Sequence, residues 1–165
     1  MKILVQKFGG TSVSTSEKRK LVVKKVSNAI KAGFKPVVVV SAMGRKGDPY
    51  ATDSLLGLLT DEFKENNSLA TDLLMSCGEI ISSVVMSNEL NKNNINAIPL
   101  MGGQAGIHTD ENFSDAAVKS VDNNNIIKIL EEGKIPVVCG FQGVSEKGFI
   151  TTLGRGGSED RKSVV

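Results

Sequence analysis

A chain of 165 residues with 40% hydrophobic and 23% charged residues has the size and composition of one globular unit, which excludes a disordered chain or a collagen-like repeat. Its formal charge of +2 is too small and too evenly spread to argue for nucleic acid or an anionic membrane surface as partner. With no Trp, one Tyr and six Phe, a stacking platform for bases is not expected either.

Residues 3–8 (ILVQKF) and 36–41 (PVVVVS) are short β-branched runs, the form of strands buried in a parallel sheet. Between them, apolar side chains at Leu21, Val22, Val26, Ala29 and Ile30 predict an amphipathic helix over 14–32. Gly33 fits its C-terminal stop, and Pro36 opens the next strand. A polar loop over 44–53 (GRKGDPYATD) leads to a long predicted helix over 69–92. Its apolar face is read as Leu73, Leu74, Ile80, Ile81, Val84, Val85 and Leu90. Residues 97–101 (AIPLM) and 135–139 (IPVVC) predict two further strands, with a short helix over 122–132 between them ending at Gly133. Residues 149–153 (FITTL) are a weaker strand candidate. This alternation predicts an α/β sheet built from parallel crossover units.

No apolar run approaches ~18 residues, so no bilayer span is expected, and the start MKILVQK lacks the pattern of a signal peptide. Cys77 and Cys139 form neither a metal spacing nor a disulfide framework. The single histidine, His108, has no partner for a metal site. Cys77 and His108 are read as packing or surface residues, and a reduced, cytoplasmic setting is expected.

The chemistry is expected where the strands end. Gly9-Gly10-Thr11-Ser12, Ser41-Ala42-Met43-Gly44, Gly102-Gly103-Gln104, Gly140-Phe141-Gln142-Gly143 and Gly154-Arg155-Gly156-Gly157-Ser158 each follow a predicted strand. In open α/β sheets ligands bind outside the carboxyl ends of the strands. Five glycine-rich breaks there suggest backbone approaching a small, anionic ligand, although any one of them could simply turn the chain. In the first, Thr11 and Ser12 are expected to cap the helix that follows. Lys7, just inside the strand, either neutralises phosphate beside the glycine amides or snorkels from a strand end. No Walker A pattern is present; Gly143 to Gly148 approach its spacing, but Phe149 stands where the lysine belongs. Glu79, inside an apolar helix, either faces solvent or is held for a cation such as an ammonium group. Arg155 is placed to grip a carboxylate or phosphate, or is a solvated loop residue. Ser41 and Ser158 could donate to the same ligand or serve turn chemistry.

Lys7-Phe8-Gly9-Gly10-Thr11-Ser12-Val13, Val39-Val40-Ser41-Ala42-Met43-Gly44, Ser76-Cys77-Gly78-Glu79 and Thr151-Thr152-Leu153-Gly154-Arg155-Gly156-Gly157-Ser158 together resemble the aspartokinases of the amino acid kinase family. The order and spacing agree over residues 1–158, including Gly103-Gln104-Ala105-Gly106. The resemblance implies an amino acid kinase-like three-layer α/β sandwich with a mostly parallel central sheet, of which this chain holds the amino-terminal half. It implies ATP-dependent phosphorylation of L-aspartate to 4-phospho-L-aspartate, the first step toward lysine, threonine and methionine. By the same resemblance Lys7 is catalytic, and Lys7, Phe8, Gly9 and Gly10 hold the ATP phosphates. Ser41, Thr52, Glu79, Arg155 and Ser158 bind aspartate, with Glu79 on the ammonium and Arg155 on a carboxylate. Mg²⁺ arrives on ATP with no protein ligand of its own, and the full-length form is an oligomer.

The resemblance stops at Ser158. Asp160 to Val165 match an in-frame reading of GAT CGG AAG AGC GTC GTG, a sequencing-adapter text, so residues 159–165 are expected to be a non-native tail. The nucleotide-binding half and the regulatory ACT domains are not expected within these residues. The chain alone is therefore expected to be inactive as a kinase. Two alternatives stand beside this reading: a module that binds ligand or partner without turnover, and an amino acid kinase with another substrate.

Overall fold

Hydrophobic runs of four to six residues do form one parallel sheet, in a computed structural model that describes residues 1–154. Arg155, Ser158 and the tail at 159–165 lie outside the described residues. In chain order the strands are β1 (Ile3–Phe8), β2 (Lys35–Val40), β3 (Ala97–Leu100), β4 (Ile107–Thr109), β5 (Val118–Val121), β6 (Ile135–Cys139), β7 (Gln142–Ser145) and β8 (Ile150–Thr152). The helices are α1 (Gly10–Val13), α2 (Ser16–Lys31), α3 (Thr52–Leu56), α4 (Asp61–Asn66), α5 (Ser68–Lys92) and α6 (Asn124–Glu131).

The main sheet runs β1-β2-β6-β3, every pair parallel. Side chains alternate across it, as the period of two requires. Val38, Val40, Ile135 and Val137 join Val22, Val23 and Val26 of α2 and Met86 and Leu90 of α5 in one core. Val37 and Val138 point the other way and meet Leu130 of α6. Helices on both faces of a mostly parallel sheet give the three layers that the family resemblance implies. A second sheet, ordered β5-β4-β7-β8, is mixed, and β8 packs against α5.

The predicted helix over 14–32 forms as α2, with the separate turn of α1 before it. Thr11 and Ser12 do not cap it, because both lie inside the single turn of α1. The cap is Thr15, which accepts from the Lys18 amide at 3.3 Å and opens α2. Leu21, placed by spacing on the apolar face, is 62% exposed.

The apolar face predicted for 69–92 needs a larger correction. Leu90 is in the core, and Ile81 and Val85 pack against it. Leu73 and Val84 are each 51% exposed. The inward face instead carries Asp72, Ser76, Gly78, Glu79, Ser82 and Ser83. Small residues let α5 approach the strands and loops closely: a Cβ on Gly78 would come within 2.7 Å of the Ala42 methyl. Composition makes α5 the one described helix long and apolar enough to cross a membrane; it is a core helix, lying along β2, β3 and β6.

Candidate active site

The carboxyl ends of β1, β2, β3 and β6 all point to one end of the sheet, and four of the glycine breaks gather there. The first two are locked together. The Gly44 amide donates to the Gly10 carbonyl at 3.0 Å, and the Ser41 amide donates to the Phe8 carbonyl at 3.2 Å. A Cβ on Gly10 would strike the carbonyl oxygens of Ala42 and Gly44, so only glycine allows this approach. The Gly140 amide donates to the Val40 carbonyl at 2.8 Å, tying the break after β6 to β2. Beneath the break after β3, Gln142 is 1% exposed. It accepts from the Gly102 amide at 3.3 Å and donates to the Ser76 carbonyl at 3.4 Å.

Glu79 lies under this mouth. It is 4% exposed, and its Oε1 accepts from the Ala42 amide at 3.1 Å. Burial pushes the carboxyl up from 4.5 to about 7, and the Ala42 hydrogen bond offsets only part of that rise. A buried carboxylate is costly without a cation or several donors. Backbone amides, those of Ala42 and of Glu79 itself, offset only part of that cost, so a cation entering the mouth would relieve the rest and draw the proton off. The alternative of a solvated surface glutamate is thereby removed.

The other expected residues divide. Ser41 is half-buried beside Ala42, the amide that Glu79 accepts from. Thr52 is half-buried in the first turn of α3, a helix that lies on α5. Gly78 faces Ala42, Tyr50 and Leu55, which brings the β2 loop and α3 to the helix turn that carries Glu79. Gly9 and Gly10 sit directly past β1. Phe8 is 7% exposed in the core, so only its main chain is offered to a ligand. Lys7 pairs with Val39, is exposed, and by alternation lies on the face of β1 opposite Phe8. Arg155 and Ser158, expected on the substrate carboxylate, lie outside the described residues.

Of the two residues set aside from chemistry, His108 is exposed on β4 and Cys77 is half-buried with its thiol directed at the Leu73 carbonyl, 3.4 Å away. Cys139 is buried, and burial raises its thiol to about 11, so it is not a nucleophile at neutral pH. Among the described residues no three His, Cys, Asp or Glu side chains cluster to hold a metal ion. No step is assigned to a protein-held metal. Sequence reasoning missed Asp72, Gln142 and the Ala42 amide. Only Asp72 left a signal, a lone acid seven residues before Glu79 in a stretch otherwise apolar or small.

Comparison with known proteins agrees with this fold. The model of the amino acid kinase family matches residues 2–160. Aspartokinase 1 of Bacillus subtilis is 51% identical over 159 residues, covering 96% of this chain and 39% of that relative. The crystal structure of aspartate kinase from Synechocystis superposes with a TM-score of 0.69 at 36% identity, covering 96% of this chain and 25% of that one. Aspartokinase III of E. coli, solved in complex with aspartate and ADP, superposes with a TM-score of 0.73 at 22% identity, covering 96% of this chain and 45% of that one. The chain thus spans about two-fifths of the length of the curated relative it matches.

Proposed function

The chain belongs to the amino acid kinase family, and from that premise we propose that it is the amino-terminal part of an aspartate kinase. The reaction is ATP-dependent phosphorylation of the L-aspartate side-chain carboxylate, the opening step of the cytoplasmic route to lysine, threonine and methionine. One observation carries this beyond the family: a buried carboxylate, Glu79, under a mouth of glycine-rich strand ends. A nucleoside monophosphate or a purely anionic acid has no ammonium to offer Glu79; a free amino acid does.

In this reading Glu79 takes the ammonium, and Ser41 and Thr52 donate from the β2 loop and α3. Arg155 and Ser158 complete the carboxylate side. The reacting carboxylate needs no general base, because it is already ionised at neutral pH. Catalysis is alignment of that oxygen with the γ-phosphoryl group and neutralisation of the charge that spreads over it. Lys7 supplies a positive charge for the phosphates, beside the amides of Gly9 and Gly10. No residue among 1–158 is assigned to the adenine or ribose.

The test uses the 165-residue chain as it is. L-aspartate should raise its unfolding temperature, whereas aspartyl hydroxamate should not accumulate with ATP and aspartate together. Stabilisation by ATP and not by aspartate would reverse the assignment of the site. Hydroxamate formation would show that the chain is a complete kinase.

A further inference from the structure

The two buried acids of α5 are satisfied in different ways. Asp72 is 0% exposed and saturated. Its Oδ2 accepts from the Thr152 amide at 2.7 Å and the Ser114 amide at 3.0 Å. Its Oδ1 accepts from the Thr152 hydroxyl at 2.7 Å and the Ser114 hydroxyl at 3.1 Å. Four donors replace the lost water and make this carboxylate a tie between elements. Glu79 leans instead on the Ala42 amide, so whatever seats Ala42 also shapes the site.

Ala42 lies in a loop whose successive residues are held by different elements. Ala42 donates to Glu79 of α5 at 3.1 Å. Met43 Sδ lies 3.8 Å from Nη1 of Arg19 on α2. Gly44 donates to the carbonyl of Gly10, the first residue of α1, at 3.0 Å. The loop has no slack, since Ala42 is 7% exposed and Met43 is 8% exposed. A Cβ on Gly78 would press on the Ala42 methyl, and one on Gly10 would strike the Ala42 carbonyl. In packing this close, a shift at one anchor is passed to the other two.

Arg19 is the anchor without an evident reason of its own. α2 carries six bases, Lys18, Arg19, Lys20, Lys24, Lys25 and Lys31. The five lysines are exposed, whereas Arg19 is half-buried. Its Nε is buried with no partner among the described residues, a cost that a solvated side chain would avoid. The return is a double hold. Nη1 donates to the Val13 carbonyl at 2.8 Å, at the end of α1, and the same nitrogen meets Met43. Val13 and Met43 are both core residues, so the guanidinium joins two fixed points, one in each of the first two glycine breaks.

We infer that Arg19 is a positioning residue for the amino-acid site: by bracing Met43 against α1 it keeps the Ala42 amide aimed at Glu79. This rests on the assignment of Glu79 to the substrate ammonium above. Without the brace the amide is less firmly held, the Glu79 carboxylate loses part of the donor that orients it, and the ammonium binds more weakly. Arg19 need not touch the substrate for this.

Arg19→Met keeps a straight apolar stem and removes the donors. Lys20→Met removes the same charge from the exposed position beside it. Both variants are read by calorimetric titration of the 165-residue chain with L-aspartate, by thermal unfolding and by amide proton spectra. Arg19→Met should bind L-aspartate about fivefold more weakly, the scale of one lost hydrogen bond. Its Ala42 amide proton should move upfield as the bond to Glu79 weakens, and Lys20→Met should change neither reading. Arg19→Lys, which keeps a donor for the Val13 carbonyl, should recover most of both. If Arg19→Met does not fold, Met43→Leu decides, because it conserves volume and removes the sulfur acceptor. It should move the Ala42 proton the same way by less, and an unmoved proton there would overturn the inference. So would a folded Arg19→Met with lowered melting temperature but wild-type affinity and an unmoved Ala42 proton, or an equal loss of affinity in Lys20→Met. A wild-type chain that binds no L-aspartate would instead overturn the substrate assignment, and the two failures are distinct.

Discussion

α2 and α5 pack on one face of the same sheet and bury opposite chemistry. α2 turns Val22, Val23, Val26 and Ala29 inward and its lysines outward, as an amphipathic helix should. α5 turns Thr71, Asp72, Ser76, Glu79, Ser82 and Ser83 inward and leaves Leu73 and Val84 half-exposed. The difference is one of purpose. The contact of α2 with the sheet is adhesive, whereas the amino-terminal half of α5 holds two acids at chosen places, one under the mouth and one on β8. Only the far end of α5, through Met86 and Leu90, returns to ordinary core packing.

Changing one residue at a time separates these roles. The largest effect should come from giving α2 what α5 tolerates. Val26 is 0% exposed among apolar neighbours, and Val26→Asp should cost more than about 3 kcal/mol, because no donors wait there as they do around Asp72. Urea unfolding should find this variant largely unfolded, whereas Asp72 is native.

Glu79 predicts an effect that depends on pH. Its folded carboxyl sits near 7 against 4.5 without burial, so between those values the folded chain binds more protons than the unfolded one. Stability should therefore fall as pH rises from about 4.5 to about 7, by ~3 kcal/mol at most, and this contribution should level off above that. Glu79→Gln should flatten the fall, as denaturant midpoints measured across the range would show. Next in size is Thr15→Ala, which removes the cap of α2 and should cost about 1 kcal/mol in the same assay. The smallest effect belongs to the outer face of α5. Leu73→Gln should change stability by no more than about 0.5 kcal/mol, although spacing alone would place Leu73 in the core.

The main sheet was legible because its strands are continuous β-branched runs, and 3–8 and 135–139 were bounded to the residue. β4 and β7 were not, because strands of three or four residues such as Ile107–Thr109 and Gln142–Ser145 carry no period that sequence can display. The mouth of the site was legible through its glycines, since Gly10 reports a steric demand that no other residue meets. The inner face of α5 misled for a physical reason. Hydrophobic spacing assumes that burial is apolar, and this helix pairs its buried acids with backbone donors from the loop after β2 and from β8, contacts at sequence separations of 37 and 80 residues.

The central claim is that Glu79 is buried to receive an ammonium group. Titrating the wild-type chain and Glu79→Gln with L-aspartate from pH 5 to pH 8 tests it directly. Aspartate carries its ammonium and both carboxylates throughout that range, so any change reports on the protein. Wild-type affinity should climb with pH until about 7 and then level, as the Glu79 proton ceases to compete, while Glu79→Gln binds weakly and without that slope. Equal affinity in the two chains, or a wild-type affinity flat below pH 7, would contradict the account.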